Sequence, residues 1–496
     1  MREFRAPGKQ RLLNRLAALA NAAGIDAYIV GGAVRDGLCR RYTPDLDLAV
    51  TGDALAWARS VADALGGHFV VLDDESAVAR VVLPKHAAVE YIDIAALQGS
   101  LEEDARRRDF TIDALAVPLT GSGAREVIDH CGGLADLDAR LVRMNGPDVF
   151  DADPLRLLRA VRIAAALGFD IEPETMAAIR ERAPELNRAA AERRRDELAR
   201  ILAIETSYGA LRLLDEAHLL DVLLPEVAEG KGVSQPEQFH AYDVFEHSLR
   251  AVEAVDAMLA THASVGGWLN EDMWRHFDWR VAELTRYLDH EMSEGRSRGA
   301  LLKLAALLHD AGKPRTRSVE ADGRVRFLGH ADAGAGMARQ IMRRLRFSTR
   351  EIAFVEILVA EHLRPVQLAQ AGEAPTRRAL YRFYRDLGDA MPAVLFLALA
   401  DAAAARGPAM TREGWSRQVA YMNGLLVRSM EEEGIVHPPR LMSGRDIMAV
   451  LGIPEGPTVG RLLEALEEAQ AAGEVHDKEQ ALALIRGFAR EGSAGR

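Results

Sequence analysis

The sequence predicts a two-part chain, a small α/β domain at the front followed by a mostly α-helical remainder. Three observations lead to that expectation. Between Tyr28 and about Val117, short β-branched runs (YIV, DLDLAV, HFVVL, ARVVL, VEYIDIA) alternate with helical stretches. After about Asp151 such runs cease, and Ala, Leu, Arg and Glu recur at 3.6-residue spacing. The 496 residues also exceed one ordinary core, since domains hold about 100 to 200 residues.

Composition narrows the class. Apolar residues make up 49% and charged residues 27%, the balance of a globular chain rather than a disordered or fibrous one. Cys39 and Cys131 stand alone, with no Cys-x-x-Cys spacing for zinc, so a reducing cytoplasm is expected. The net charge of −12 argues against a basic coat for nucleic acid. Local arginine clusters remain at Arg106–Arg108, Arg193–Arg195 and Arg377–Arg378, and a solvated helix face is the default account of each. No run reaches the roughly 18 uninterrupted apolar residues of a membrane span, and VLFLALA stops at Asp401, so no membrane partner is expected.

Taken in order, Leu12, Leu13, Leu16, Leu19, Ala20 and Ala23 recur at helical spacing and Gly24 closes the run, which reads as an amphipathic helix rather than a signal peptide. A strand then ends at Val30, Gly31 and Gly32 turn the chain, and a helix starts near Ala33. Backbone amides at such a turn suit a triphosphate. In Asp45-Leu46-Asp47 the carboxylates lie two apart on a strand and so share one face, while Leu46, Leu48 and Val50 face the core. Paired carboxylates repel unless cations lie between them. Divalent ions such as Mg²⁺ meet that need, and they also activate a hydroxyl and stabilise a leaving pyrophosphate.

Further on, FDADPLRLLRAVRIAAALGF predicts a helix with Pro154 at its first position and Asp153 as its cap. Gly and Pro cluster near Glu229–Gln238 and Gly434–Arg440, where breaks are expected. Between them lies a histidine-bearing helical region. It is interrupted by a stretch with Trp268, Trp274 and Trp279 that reads as an insertion. In the tail, Ser443 caps a helix, Gly452–Pro457 breaks it, and a second amphipathic helix starts near Gly460.

GGAVRD followed by DLDL, and then RRRDFTIDALAV (Arg106–Val117), resemble the head motifs of the bacterial (class II) tRNA nucleotidyltransferase and poly(A) polymerase family, within the polymerase-β-like superfamily. The resemblance implies a polymerase-β-like α/β head with a mixed sheet and helices over residues 1–150. A helical neck at 151–230, an HD domain at 231–430 and a helical tail at 431–496 would follow. It implies addition of C and/or A to the tRNA 3′ end from CTP and ATP, with Mg²⁺ in the head. Asp45 and Asp47 would be the catalytic metal ligands. A third carboxylate would come from Glu90 or Asp93, which lie on opposite faces of an ideal strand, with Asp93 preferred. Gly31, Gly32 and Arg35 would border the nucleotide, and Arg108 and Asp109 would contact its ribose and phosphates. Asp113 stands where the family usually has Asn, so contacts there must differ.

The resemblance also assigns base reading to Asp153 and Arg156, three apart on one helix face. The carboxylate would accept from the exocyclic amine of C or A, while U and G would present a carbonyl oxygen instead. Arg159, counted with the nucleotide-binding residues, and Arg162 continue the spacing toward RNA phosphate, with solvated arginines the equal alternative, and Ala152 replaces the family's usual Glu. ERRRDELARIL (Glu192–Leu202) matches an element expected to support the nucleotide site.

HAYDVFEHSLRAV, LLKLAALLHDAGKP, LGHADAGA, EHLRP and LALADAAAA together resemble the HD phosphohydrolase family. That resemblance implies a divalent metal of open identity on His247, His309, Asp310 and Asp401, with His330 and His362 completing a second site. A phosphohydrolase activity on nucleotide or tRNA-end phosphates follows as a second expectation. The rival readings are an enzyme that adds only CC, only A or a poly(A) tail, an HD metallohydrolase with a nucleotide-sensing head, and an RNA-binding scaffold without turnover.

Overall fold

The structure, a computed structural model, describes residues 9–85, 87–119, 126–236, 238, 240–261, 263–370, 375–431 and 438–493. It forms two compact units, one of Met1–Glu197 with Leu213–Leu223 and one of Leu198–Arg212 with Leu224–Arg496.

The first unit is built on a six-stranded mixed sheet. Its strands are β1 (Ala27–Val30), β2 (Asp45–Val50), β3 (His68–Asp73), β4 (Val78–Val82), β5 (Tyr91–Ala96) and β6 (Ala116–Pro118), in spatial order β3-β4-β5-β2-β1-β6. All five expected β-branched runs are strands. β2 runs parallel to β5 and antiparallel to β1, which places it near the middle of the sheet. Alternation does the sorting: Leu46, Leu48, Ile92 and Ile94 are buried under one face, while Asp45, Asp47 and Asp93 project from the other.

Two helices cover the apolar face. Gln10–Ala23 buries Leu13, Leu16 and Ala20, and Ala54–Leu65 buries Trp57, Ala58 and Val61. The first ends on Gly24 at φ +66°, as the sequence indicated. Asp53 caps the second by accepting from the Ala56 N–H at 2.9 Å.

The neck helix begins at the expected cap, with the Arg156 N–H donating to the Asp153 carbonyl at 3.0 Å. A short turn, Val149–Ala152, comes first, and the regular part of the long helix runs Arg156–Leu167. Asp153 therefore sits in the joint between them, where its carboxylate accepts from the Leu155 N–H at 3.1 Å. Pro154 forces this joint: the residue before a proline disfavours helical backbone, and Asp153 is extended at φ −152°, ψ 103°.

The second unit is helical apart from two-residue and three-residue ribbons. Helices Val244–Leu259, Arg298–Leu308, Thr349–Glu361 and Met391–Arg406 pack together around the histidine cluster. The Trp-bearing stretch is part of this packing rather than an appended loop. Phe277 is buried, Trp274 Nε1 donates to the Met258 carbonyl at 3.1 Å, and Arg412 grips Asp272. The stretch Arg377–Ala409 is apolar and long enough to cross a membrane, but 72% of its most apolar window is buried inside the unit. Gly388, at φ +47°, divides it into two helices. The tail has a small core of its own around Met442, Ile447, Leu466 and Ile485. Its first helix starts after Ser443 as expected and its second at Pro457.

Candidate functional sites

In the head, the local sequence brings three carboxylates to one place. β2 and β5 pair in register so that Asp47 lies beside Asp93 and Asp45 beside Tyr91. Glu90 precedes β5, whereas Asp93 shares the strand face with Asp45 and Asp47. Burial pushes the Asp47 carboxyl up to about 7, with the charges of Asp45 and Asp93 adding to it and Arg108 opposing. A divalent cation would reverse that shift, and a donor set made only of oxygens suits a hard ion.

Gly31 closes the site from below. Its φ of +69° is open only to glycine at low cost, and a Cβ there would lie 3.2 Å from Arg108 Nη1 and 3.4 Å from Asp47 Oδ2. The turn therefore lets a guanidinium and a carboxylate converge over bare backbone. Arg108 is aimed by Asp104, which accepts from its Nε and Nη2 at 3.1 and 3.0 Å. That aim begins with a capping box, Ser100 and Glu103, which starts the helix Leu101–Arg107, and the chain straightens at Arg108.

Behind this surface, buried carboxylates are matched with arginines. Arg35 Nη1 donates to Asp113 at 2.6 Å, and Arg35 also pairs with Asp36. Arg159 Nε donates to Asp109 at 2.7 Å, and burial of Asp109 is outweighed by Arg159, so its carboxyl sits below the usual range. Asp113 sits above that range, chiefly through burial, with Asp109 adding to the effect. Asp113 thus has a guanidinium partner where an amide would have been neutral. Asp109 and Arg159, both expected at the nucleotide, face each other. Arg156 is pinned by two backbone carbonyls, Val149 at 3.2 Å and Arg107 at 3.1 Å.

The second unit holds a denser cluster. His247 Nε2 lies 3.1 Å from His309 Nε2, 3.2 Å from Asp310 Oδ2 and 3.0 Å from Asp401 Oδ1. His330 Nε2 and His362 Nε2 approach Asp310 Oδ1 at 3.5 and 4.0 Å. Nδ1 of His309, His330 and His362 each meets a backbone carbonyl, of Ala306, Phe327 and Val359, at 2.7 to 2.8 Å. Those bonds put a proton on each Nδ1 and aim each Nε2 inward, as metal-ligating histidines require. The inward Nε2 atoms of His330 and His362 are buried and make no hydrogen bond, a deficit that a cation removes. Three overlapping sets are compact enough for ions: His247-His309-Asp310, His309-His362-Asp401 and Asp310-His330-His362. Burial opposes charge on His309, but Asp310 and Asp401 raise it to about 10, while burial and His309 together push His362 down to about 4.

Known protein families match three regions of the chain. A Poly A polymerase head domain matches residues 27–143, a probable RNA and SrmB-binding site of polymerase A matches 168–231, and an HD domain matches 278–406. An A-adding tRNA nucleotidyltransferase of Deinococcus radiodurans is 37% identical, over 94% of this chain and 96% of that protein. A CC-adding tRNA nucleotidyltransferase of Thermus thermophilus is 36% identical over 93% of each. The chain belongs to the tRNA nucleotidyltransferase family.

Solved structures support the fold. A CCA-adding enzyme in complex with CTP covers 98% of this chain and 99% of its own at a TM-score of 0.60 and 20% identity. The Thermotoga maritima CCA-adding enzyme complexed with tRNA covers 98% of this chain and all of its own at 0.53 and 20% identity.

Reading this nucleotidyltransferase from sequence missed several partners. Arg80 holds both oxygens of Asp93 at 2.8 Å and stacks on Tyr91. It stands opposite Asp93 across β4 and β5, a pairing visible only once the register is known. Lys9 donates to the carbonyls of Thr43 and Asp45, at 2.5 and 3.2 Å. Lys313 lies 2.6 Å from Asp310, and its position three residues later in HDAGK was a readable signal.

Proposed function

We propose that this nucleotidyltransferase adds C and/or A to the 3′ end of tRNA, using CTP and ATP. The observation that carries the reading is the convergence of Asp45, Asp47 and Asp93 on one strand face beside Gly31 and Arg108. Mg²⁺ held by Asp45 and Asp47 would supply positive charge against the attacking 3′-oxygen and the departing pyrophosphate. The chain's own residues do the positioning. Gly31 and Gly32 let the triphosphate approach the backbone, and Arg35 braces that turn from Asp113. Arg108 offers its guanidinium beside Asp47, and Asp109 with Arg159 fixes the wall along the ribose. Asp153 and Arg156 read the base edge. The tRNA 3′-hydroxyl attacks the α-phosphate, its proton passes to solvent, and pyrophosphate leaves. The gain comes from orientation and charge rather than from a covalent protein intermediate.

The decisive assay offers CTP and ATP, separately and together, to tRNA transcripts ending before CCA, after CC and in full CCA, with Asp47→Ala alongside. Completion on the shortest transcript assigns full CCA addition, CC or A alone assigns a split specificity, and long A tails assign a poly(A) polymerase. Absence of metal-dependent addition to every transcript overturns the reading.

A second reading concerns the other unit, and His330 and His362, with inward nitrogens lacking hydrogen bonds, favour it. His247, His309, Asp310 and Asp401 would hold one divalent ion, and His330 and His362 would complete a second. The ions would supply Lewis acidity for hydrolysis of nucleotide or tRNA-end phosphates. Lys313, paired with Asp310, would offset phosphate charge. Imidazole-rich ligation favours a transition metal. The half-buried Cys39 and Cys131 form no disulfide and suit a reducing cytoplasm.

A further inference from the structure

The helix Ala191–Leu202 reaches the neck through two side chains one turn apart. Arg193 Nη1 and Nη2 donate to Asp153 Oδ1 and Oδ2 at 3.2 and 2.7 Å. Four residues on, Glu197, 2% exposed, accepts from Arg162 Nε at 2.7 Å. Spacing of i and i+4 puts both on one helix face, so a single element grips the joint before the neck helix and the neck helix itself. Its neighbours in the arginine run are engaged differently, Arg194 with Asn187 and Arg195 with Asp196.

The count of donors on Asp153 matters. An ionised carboxylate offers about four acceptor directions. Three are taken by the protein: Leu155 N–H and Arg193 Nη1 on Oδ1, and Arg193 Nη2 on Oδ2. About one remains, on Oδ2, for a base. A carboxylate held in this way is less free to swivel and place a water between itself and a carbonyl-bearing base. A planar fork fixes both oxygens at once, which a lysine cannot do.

We propose that Arg193 is the positioning residue for base selection: by gripping both oxygens of Asp153 it leaves one fixed acceptor, which an exocyclic amine satisfies and a carbonyl oxygen does not. The proposal rests on Asp153 reading the base. Without Arg193 the carboxylate gains rotational freedom and can solvate, so U and G lose part of their penalty. The reaction itself is unaffected in kind.

The test measures kcat/KM for CTP, ATP, UTP and GTP in single additions to a tRNA acceptor, for the full chain and for Arg193→Gln, Arg193→Lys, Asp153→Ala and Arg188→Gln. Arg188 pairs with Glu185 at the surface and serves as the control. Arg193→Gln is expected to lower the preference for the amine-bearing base by about 10- to 100-fold, through KM and through accepted U and G. Arg193→Lys should restore only part of it, and Arg188→Gln should match the parent. A parallel fall in kcat for every nucleotide, with the preference intact, overturns the proposal in favour of a structural role. If Asp153→Ala collapses the preference while Arg193→Gln keeps it, only Arg193 is removed from base selection. If Asp153→Ala itself keeps the preference, the base-reading assignment fails with it. Should Arg193→Gln not fold, the lysine variant decides, since full preference in it would show that the fork is not used.

Discussion

In the head, three carboxylates crowd one strand face and offer oxygen alone. In the helical unit, four histidines and two carboxylates close on one another, and His247, His309, Asp310 and His362 are 0 to 1% exposed. Arginine and lysine supply the counter-charge in the head: Arg80 on Asp93, Arg108 beside Asp47, and Lys9 against the Asp45 backbone. In the helical unit Lys313 lies on Asp310, and backbone carbonyls fix three imidazoles by their outer nitrogens. The difference separates two kinds of metal use. A strand face of oxygens suits an ion that arrives with a triphosphate and leaves with pyrophosphate, whereas preset imidazoles in a buried cluster suit a resident ion.

The strongest way to break this comparison is to cross the two sites. Asp47→Ala should lower nucleotide addition by about 10³-fold, since it removes the ligand at the centre of the strand face, and should leave the metal content of the purified protein unchanged. Asp401→Asn should empty the helical site, read by elemental analysis, with nucleotide addition within about twofold of the parent. Loss of addition in a folded, metal-depleted Asp401→Asn protein would show that the helical ion serves the head, and the separation would be wrong.

Proton competition sharpens the contrast by a smaller margin. In metal-free protein Asp47 titrates near 7, raised by burial and by Asp45 and Asp93. Below that pH a proton competes with the ion, so apparent Mg²⁺ affinity should fall up to about tenfold per pH unit on going down from 7 and level off above it. The same raised value means that metal-free stability from this group is present below the unfolded carboxyl value and is lost as pH rises through 7, with Mg²⁺ offsetting the loss. At the helical site the competing proton sits on His309, held to about 10 by Asp310 and Asp401 against burial. Metal affinity there should keep rising with pH past 8. Calorimetric titration of each ion at pH 6, 7 and 8 checks both, and equal pH slopes would remove the distinction.

The sequence made the near-neighbour features legible. Alternation in DLDL gave the shared face, Gly-Gly after a strand gave the turn, and HD with its flanking histidines gave six candidate ligands, all of which the fold brings together. What it hid was long-range pairing. Arg80 meets Asp93 only through strand register, and Arg193 meets Asp153 across 40 residues. Asp-Pro reads as cap and first turn, and the proline holds Asp153 extended with its carboxylate on the Leu155 N–H, where Arg193 also reaches it.

The smallest expected effect concerns Asp113. Burial raises its carboxyl and Asp109 adds repulsion, while Arg35 pairs with it at 2.6 Å. Asp113→Asn gives up that ion pair but also relieves the repulsion, keeps an acceptor oxygen for Arg35, and leaves Arg35 paired with Asp36. The two effects oppose, so stability should shift by no more than about 1 kcal/mol and nucleotide addition by no more than about threefold. Arg35→Met makes the informative contrast, because it strands a buried carboxylate and should cost about 3 kcal/mol or more in denaturant unfolding. If Asp113→Asn instead lost tenfold in addition with stability unchanged, the charge on Asp113 would belong with Asp45, Asp47 and Asp93 in the working site. The head would then carry a fourth carboxylate, and the arginines behind the strand face would be part of its chemistry rather than its support.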